Sequence, residues 1–240
     1  MRALIRLLPA CFAVLAVCFA AAQDEPRLDI KDSSYRPLNP TVIFDLNFPG
    51  AVPSHYTVAV NASGDAAYQS DGDQTNPGPD QSNGDPNVVV RFTMSEAART
   101  RVLHLAQKLN YFSGNFDYTR NRVANTGAKT LVFADPTRHN TATYNYSQNP
   151  DIQELTRFFQ SVSTTLEYGR KLERDLRYDK LDLPNQLQQM VNDAQQKELG
   201  ELQAIVPVLQ KISGDASVMR IARVNSDRLL AMAGAPLATR

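Results

Sequence analysis

Short stretches in which apolar and polar residues alternate occupy the middle of the chain and predict β-strands. The clearest is HYTVAV at 55–60, which places Tyr56, Val58 and Val60 on one face. Turn residues at 61–65 and a return run after them predict a hairpin. The predicted strands are 41–48, 55–60, 66–69, 88–92, 116–119, 129–135 and 141–147.

Apolar residues three and four positions apart predict a helix after the fourth strand. Thr93 and Glu96 stand three apart as a capping box, in which each side chain satisfies a backbone N–H of the first turn. The helix is therefore predicted to begin there and to run to about Leu109.

A longer helix is predicted from Pro150 to about Lys180, with Gly169 as a weak point in its middle. It carries an apolar row over 152–166, at the spacing with which helices pack on one another or on a sheet. At 1.5 Å per residue the helix would be about 45 Å long, so part of it is predicted to project beyond a small sheet.

From Asp182 onward the chain is predicted to be almost wholly helical. A second apolar row extends over 187–212, with a kink predicted near Pro207. Ser213-Gly214-Asp215 is a stop signal, after which a last helix is predicted.

These elements predict an α+β fold, a small antiparallel sheet packed on helices with a C-terminal helical hairpin or bundle extension. The predicted division is a signal peptide at 1–22, an extended lead-in at 23–40, an α+β domain at 41–180 and a helical region at 181–240.

The N-terminal segment has the composition of a secretory signal peptide. Arg2 and Arg6 form its basic part, and an apolar run from Leu7 leads to small residues before Gln23. The run is shorter than the ~20 residues that span a bilayer, which favours cleavage near Ala22 over a retained anchor. The protein is therefore predicted to be exported, periplasmic or extracellular, with no transmembrane span in the mature chain.

Loss of that segment changes the chemistry of the remaining chain. Cys11 and Cys18 both lie within it, so the mature chain is predicted to have no disulfide, thiolate metal site or cysteine nucleophile. Without Arg2 and Arg6, the 25 basic residues become 23 against 25 acidic ones. Because neither a clustered basic face nor an aromatic platform for bases is evident, no nucleic-acid partner is predicted.

An acidic stretch, SDGDQTNPGPDQSNGDPN at 70–87, is the candidate cation site. A calcium loop that begins at its first aspartate needs Gly in the sixth place and Glu in the twelfth, where the chain has Asn76 and Ser82. The stretch is therefore predicted to be a long acidic loop between two strands, and a calcium-binding module is kept as an alternative function. The candidate ligands are Asp71, Asp73, Asp80 and Asp85.

Sequence signatures of enzymes are missing. The chain has no G-x-S-x-G, no HExxH and no glycine-rich phosphate loop, and no cofactor or catalytic residue is predicted. A hydrolase whose site is assembled only in the fold is kept as an alternative. It would gather His104 or His139 with a serine and an aspartate.

Tyrosines that follow the first predicted helix, and tyrosines on the last predicted strand, have two interpretations. The favoured one places phenylalanines in the core and tyrosines at its rim, with their hydroxyls outward. The other is a tyrosine-lined groove for a peptide or a glycan. Its candidate residues are Tyr118, Tyr144 and Tyr146.

The order of elements over 55–166 resembles that of secreted bacterial domains of unknown function. The resemblance is carried by HYTVAVNASGDAAYQS, by the helix at 94–109 with Tyr111-Phe112 behind it, and by GAKTLVFAD before a further helix. It implies a tyrosine-led hairpin, a helix and a closing strand pair, and it implies no particular activity.

The function predicted from sequence is that of an exported, non-enzymatic protein that binds another protein or self-associates through its helices. The basis is the pair of apolar rows at 152–166 and 187–212, which exceed what a small sheet can bury.

Overall fold

The computed structural model describes residues 26–71 and 89–236. The strands are β1 (Thr41–Asn47), β2 (His55–Asn61), β3 (Asp65–Ser70), β4 (Val89–Thr93), β5 (Ala128–Ala134) and β6 (His139–Tyr144). The helices are α1 (Glu96–Lys108), α2 (Pro150–Tyr178), α3 (Leu183–Gln195), α4 (Val206–Gly214) and α5 (Arg220–Met232), with 3-10 turns at Asn110–Phe112 and Leu202–Ile205. The predicted α+β fold with a C-terminal helical part is confirmed.

The strands form one antiparallel sheet in the order β4-β3-β2-β1-β5-β6. The predicted hairpin is β2–β3, and Gly64 in its turn has a φ of 96°, a conformation that favours glycine. Phe44 lies opposite Val58, and Val58 lies opposite Tyr68, so large side chains of three strands share one face. This face carries the main core.

Helix α2 crosses that face of the sheet. The rings of Phe44 and Phe159 stack with centroids 5.2 Å apart. Toward β6, the hydroxyls of Tyr144 and Thr156 lie 2.7 Å apart. Toward β3, Tyr68 Oη lies 3.0 Å from the hydroxyl of Ser163. One face of α2 therefore contacts the sheet from its β6 edge almost to its opposite edge.

The other face of the sheet is covered by residues of the lead-in. Tyr35 is buried there in a small cluster with Ile43, Ala59, Val132 and Ala134. Leu28 and Ile30 pack against the same cluster. The sheet is therefore covered on both sides, by helices on one and by an irregular segment on the other.

Both apolar rows are buried within the chain. The row at 152–166 faces the sheet, and the row at 187–212 lies where α5 packs against α3 and α4. The second half of α2 packs on the helical part rather than on the sheet, and its Gly169 and Leu172 are buried there. Neither row is a free surface.

Three boundaries differ from the sequence predictions. Ser95, not Thr93, caps α1, since its Oγ accepts the backbone N–H of Ala98 at 3.3 Å while Thr93 ends β4. Residues 116–119 form no strand. The helical region breaks at 196–201, and Pro207 lies in the first turn of α4, where a missing N–H costs nothing.

Gly169 is explained by a close approach rather than by helix weakness. A Cβ at this position would lie 2.5 Å from Cγ2 of Ile205, in the second 3-10 turn. We expect Gly169→Ala to lower the free energy of unfolding by about 1–3 kcal/mol, since overpacking outweighs the better helix propensity of alanine. Denaturant unfolding followed by circular dichroism measures the change.

The control is a double-mutant cycle with Ile205→Ala. Removing the opposing methyl should make the cost of Gly169→Ala smaller in that background. A Gly169→Ala variant as stable as the wild type would show that the two elements can separate without cost.

Candidate binding site

Residues 113–127, between the first 3-10 turn and β5, form neither helix nor strand. A loop of this length is uncommon in a compact domain and is often functional. It carries Tyr118, Arg120 and Arg122, and both arginines are exposed. We call residues 113–127 the tyrosine–arginine loop.

Tyr118 and Tyr146 meet at the surface. Their ring centroids are 6.1 Å apart and the rings are perpendicular, an arrangement that aromatic quadrupoles favour. The backbone N–H of Tyr118 donates to the carbonyl of Tyr146 at 2.8 Å, and Asn121 Nδ2 donates to Tyr118 Oη at 2.8 Å. Tyr146 is 37 % exposed, so the pair presents an aromatic edge to solvent.

Tyr144, the third candidate of the predicted groove, lies elsewhere. It is buried in the core against α2, with its hydroxyl 2.7 Å from that of Thr156. Burial raises the pKa of Tyr144 to about 12. The structure thus brings Tyr118 and Tyr146 together and separates Tyr144 from them.

The buried ammonium of Lys129 holds the end of the loop. Its Nζ donates to the carbonyl oxygens of Thr126 at 2.8 Å, Gly127 at 3.0 Å and Asn145 at 2.9 Å, and to Thr126 Oγ1 at 3.0 Å. Burial lowers the pKa of Lys129, and the charge of Asp117 acts in the opposite direction. The ammonium joins the loop to the residues that follow β6.

Asp117 and Asn145 fix the rest of the loop backbone. Asp117 Oδ1 accepts the backbone N–H groups of Asn145 at 2.9 Å and Tyr146 at 3.4 Å. Asn145 Oδ1 accepts the N–H of Thr126 at 2.8 Å, and its Nδ2 donates to the carbonyl of Ala124 at 2.9 Å. The backbone of the loop is therefore fixed by hydrogen bonds within the chain.

The chain enters the loop through three successive left-handed residues. The φ values of Asn110, Tyr111 and Phe112 are 51°, 53° and 62°, and among these only asparagine readily adopts such angles. Burial of Phe112 holds this turn, as does Arg138, whose guanidinium lies 3.8 Å from the Tyr111 ring centroid. Sequence reasoning did not foresee this turn.

The charged side chains of the loop differ in how they are engaged. Within 26–71 and 89–236, no carboxylate lies at ion-pair distance from Arg120 or Arg122. The carboxylate of Asp117 is occupied by backbone N–H groups. Arg120 and Arg122 are exposed on the same loop as Tyr118.

The candidate calcium ligands are only partly covered by the structure. Asp71 accepts the hydroxyl of Ser54 and, at 3.1 Å, the backbone N–H of His55. Asp73, Asp80 and Asp85 lie outside the described residues. In the part of the chain that the structure describes, no three His, Cys, Asp or Glu residues are grouped to hold a metal ion.

Histidine meets aspartate at a position that sequence reasoning missed. His55 Nε2 lies 2.6 Å from Oδ2 of the buried Asp45, which also accepts the hydroxyl of Thr57 at 2.8 Å. The register of β1 and β2 sets Asp45 opposite Thr57, and His55 lies two residues before Thr57 on the same face of the strand. Neither His104 nor His139 hydrogen-bonds a serine or aspartate side chain among the described residues.

No protein-family model matches the chain, and a search of curated proteins finds no match. The resemblance to secreted bacterial domains therefore stays a prediction. No helix in the described ranges combines the length and the apolar character needed to cross a bilayer.

The contact between His55 and Asp45 makes stability depend on pH. The hydrogen bond to Asp45 raises the pKa of His55 above its ordinary value, 6.5, so the imidazolium is favoured in the folded state. Its contribution is fully present below pH 6.5 and is lost as pH rises through the raised pKa. We expect His55→Gln to remove this loss, as measured by urea unfolding at several pH values.

The contribution of this contact to the pH dependence of stability is modest, because the imidazole is half-exposed and therefore screened by water. The matched control is His104→Gln, which leaves the contact intact and should keep the wild-type slope. An unchanged slope in His55→Gln would show that other groups set the pH dependence.

Proposed function

We propose that this is an exported, non-enzymatic protein that binds a protein partner through its tyrosine–arginine loop and the adjoining Tyr146. One observation carries the proposal. Half-buried Tyr118 packs on exposed Tyr146, and two arginines without carboxylate partners stand on the same loop as Tyr118, whose backbone is already fixed by Lys129, Asp117 and Asn145.

Preordering is the first support for binding. A flexible loop loses conformational entropy when it is immobilised on a partner, whereas a loop already held by its own hydrogen bonds loses much less. The carbonyl groups of Thr126, Gly127 and Asn145 converge on one ammonium, and this fixes the end of the loop. Binding free energy would therefore come mainly from contacts.

Residue type is the second support. Tyrosine and arginine are enriched among residues that dominate binding at protein interfaces, because each offers a large contact area with a polar end. The planar guanidinium groups of Arg120 and Arg122 match carboxylates in two-point hydrogen bonds. We therefore expect an acidic peptide segment as the ligand rather than a neutral glycan.

The helical rows do not support the self-association predicted from sequence, because the rows at 152–166 and 187–212 are internal. The hydrolase alternative named His104 or His139, whereas the histidine that contacts an aspartate, and whose imidazole could be oriented as a base, is His55 beside Asp45. No serine hydroxyl among the described residues is bonded to that ring, so binding is the better-supported function.

The export part of the proposal rests on the basic, apolar and small residues of 1–22. We expect the protein recovered from the periplasm or medium of an expressing cell to begin at Gln23, as determined by mass spectrometry of its N-terminal peptide. An Ala22→Lys variant should retain the segment, because signal peptidase needs a small residue there. A native N-terminus at Met1 would refute cleavage.

The binding part is tested by charge reversal in the loop. Relative to wild type, we expect Arg120→Glu with Arg122→Glu to reduce partner capture from a native envelope extract by about tenfold or more, since each arginine is expected to contribute over ~1 kcal/mol. Quantitative mass spectrometry after cross-linking measures the capture.

The matched control is Lys197→Glu with Lys211→Glu, which changes the net charge equally at two exposed positions of the helical part. It should capture the partner as the wild type does. Equal capture by the loop variant and the wild type would contradict the proposed function.

A further inference from the structure

Residues 119–123 carry both arginines of the tyrosine–arginine loop and lie between two fixed points. Before them, the backbone N–H of Tyr118 donates to the carbonyl of Tyr146 at 2.8 Å. After them, the carbonyl of Ala124 accepts a hydrogen bond from Asn145 Nδ2 at 2.9 Å. In the part of the chain that the structure describes, no backbone group of 119–123 hydrogen-bonds another residue. We call residues 119–123 the arginine arc.

Asn145 joins the two sides of the loop. Its backbone N–H donates to Asp117 Oδ1 at 2.9 Å, on the side before the arginine arc. On the side after the arc, Asn145 Oδ1 accepts the N–H of Thr126 at 2.8 Å. The carbonyl of Asn145 accepts the Thr126 hydroxyl at 2.9 Å and Lys129 Nζ at 2.9 Å. With Nδ2 on Ala124, every polar group of Asn145 has a partner in the loop or in Lys129.

The sheet sets the position of Asn145. It follows β6 directly, and the last residue of that strand, Tyr144, pairs with Lys129 of β5. Tyr144 is also buried beneath α2, where its hydroxyl lies 2.7 Å from that of Thr156. Asn145 is therefore a fixed reference against which the loop is held.

We propose that Asn145 is a positioning residue of the binding site, and that its side-chain amide sets where the arginine arc is presented to the partner. The inference rests on the proposed function, because it assigns a role in binding through the same loop. Asn145 brings no charge to an acidic partner. It acts through Ala124, whose carbonyl lies just beyond the arc.

An amide suits this position because it donates and accepts at the same time. Nδ2 donates to the Ala124 carbonyl, and Oδ1 accepts the N–H of Thr126. An ionised carboxylate of the same size would keep the bond to Thr126 but would set an acceptor against the Ala124 carbonyl. The segment without a fixed point would then lengthen from 119–123 to 119–125. A longer unfixed segment loses more conformational entropy when a partner immobilises it.

Asn145→Asp is therefore the discriminating variant, since it changes the donor and keeps the size of the side chain. The matched control is Asn125→Asp in the same loop. Asn125 Oδ1 accepts the N–H of Gly127 at 3.0 Å, and its Nδ2 donates to no other residue in the described ranges. A carboxylate at 125 therefore keeps the native bond and adds the same charge.

Trypsin cleavage of the folded protein measures the arginine arc directly, because trypsin cuts after arginine and needs a segment that opens locally. We expect the bonds after Arg120 and Arg122 to be cut about tenfold or more faster in Asn145→Asp than in the wild type, and at the wild-type rate in Asn125→Asp. Cleavage after the other arginines is the internal reference. A role in stability alone would speed cleavage throughout the chain, whereas loss of positioning acts on these two bonds.

Capture from a native envelope extract measures binding itself. The readout is the set of proteins whose capture is lost in Arg120→Glu with Arg122→Glu. We expect Asn145→Asp to reduce the capture of these proteins about threefold or more, because the arc pays a larger ordering cost on binding. Asn125→Asp should capture them as the wild type does.

The outcomes separate the two proposals. Unchanged capture by the double arginine variant would contradict the proposed function, and the binding role of Asn145 with it. If that variant loses capture but Asn145→Asp keeps it, the positioning role alone is overturned. The same holds if cleavage after Arg120 and Arg122 stays at the wild-type rate in Asn145→Asp.

Discussion

The fixed crossing of α2 over the sheet is the constraint on which the rest of the structure depends. Three tyrosines from three strands are buried beneath this helix, and a buried hydroxyl without a partner costs about 1–3 kcal/mol. An apolar contact alone would let the helix slide or rotate. The three hydroxyls, in contrast, all have hydrogen-bond partners in only one position of α2. The helix supplies a hydrogen-bond partner for each hydroxyl. Thr156 bonds Tyr144, Ser163 bonds Tyr56 and Tyr68, and Glu167 also bonds Tyr68. The second half of α2 then positions the helical part.

Local sequence pattern was sufficient for the elements that carry the core. The alternation of apolar and polar residues correctly predicted the β2–β3 hairpin. The helical spacing of apolar residues predicted α2 almost to its ends. The errors lie where a tertiary contact outweighs local preference. Residues 116–119 have strand-like composition, but Asp117 uses its carboxylate to bind the backbone at Asn145 and Tyr146 instead of pairing in the sheet. Ser95 displaces Thr93 as the cap because β4 extends through Thr93.

The candidate site was predictable in part, because the position at which β6 ends decides which tyrosine reaches the surface. Tyr144 and Tyr146 would share a face if β6 continued, but the strand ends at Tyr144 and the chain turns, so Tyr146 reaches the surface and Tyr144 stays in the core. The role of Lys129 was not predictable. Three of its four acceptors are backbone carbonyls, which every sequence has, so residue types give no sign of the arrangement.

Lys129 occupies the role that a bound cation or a disulfide fills in many small domains, that of a centre which holds distant segments together. Here the centre is covalently part of β5, so no chelator or reductant can remove it. It forms only when β5 and β6 are paired, because its acceptors lie before the first strand and after the second. Order in the tyrosine–arginine loop is therefore tied to the folding of the sheet itself, and the loop cannot be loosened without cost to the domain.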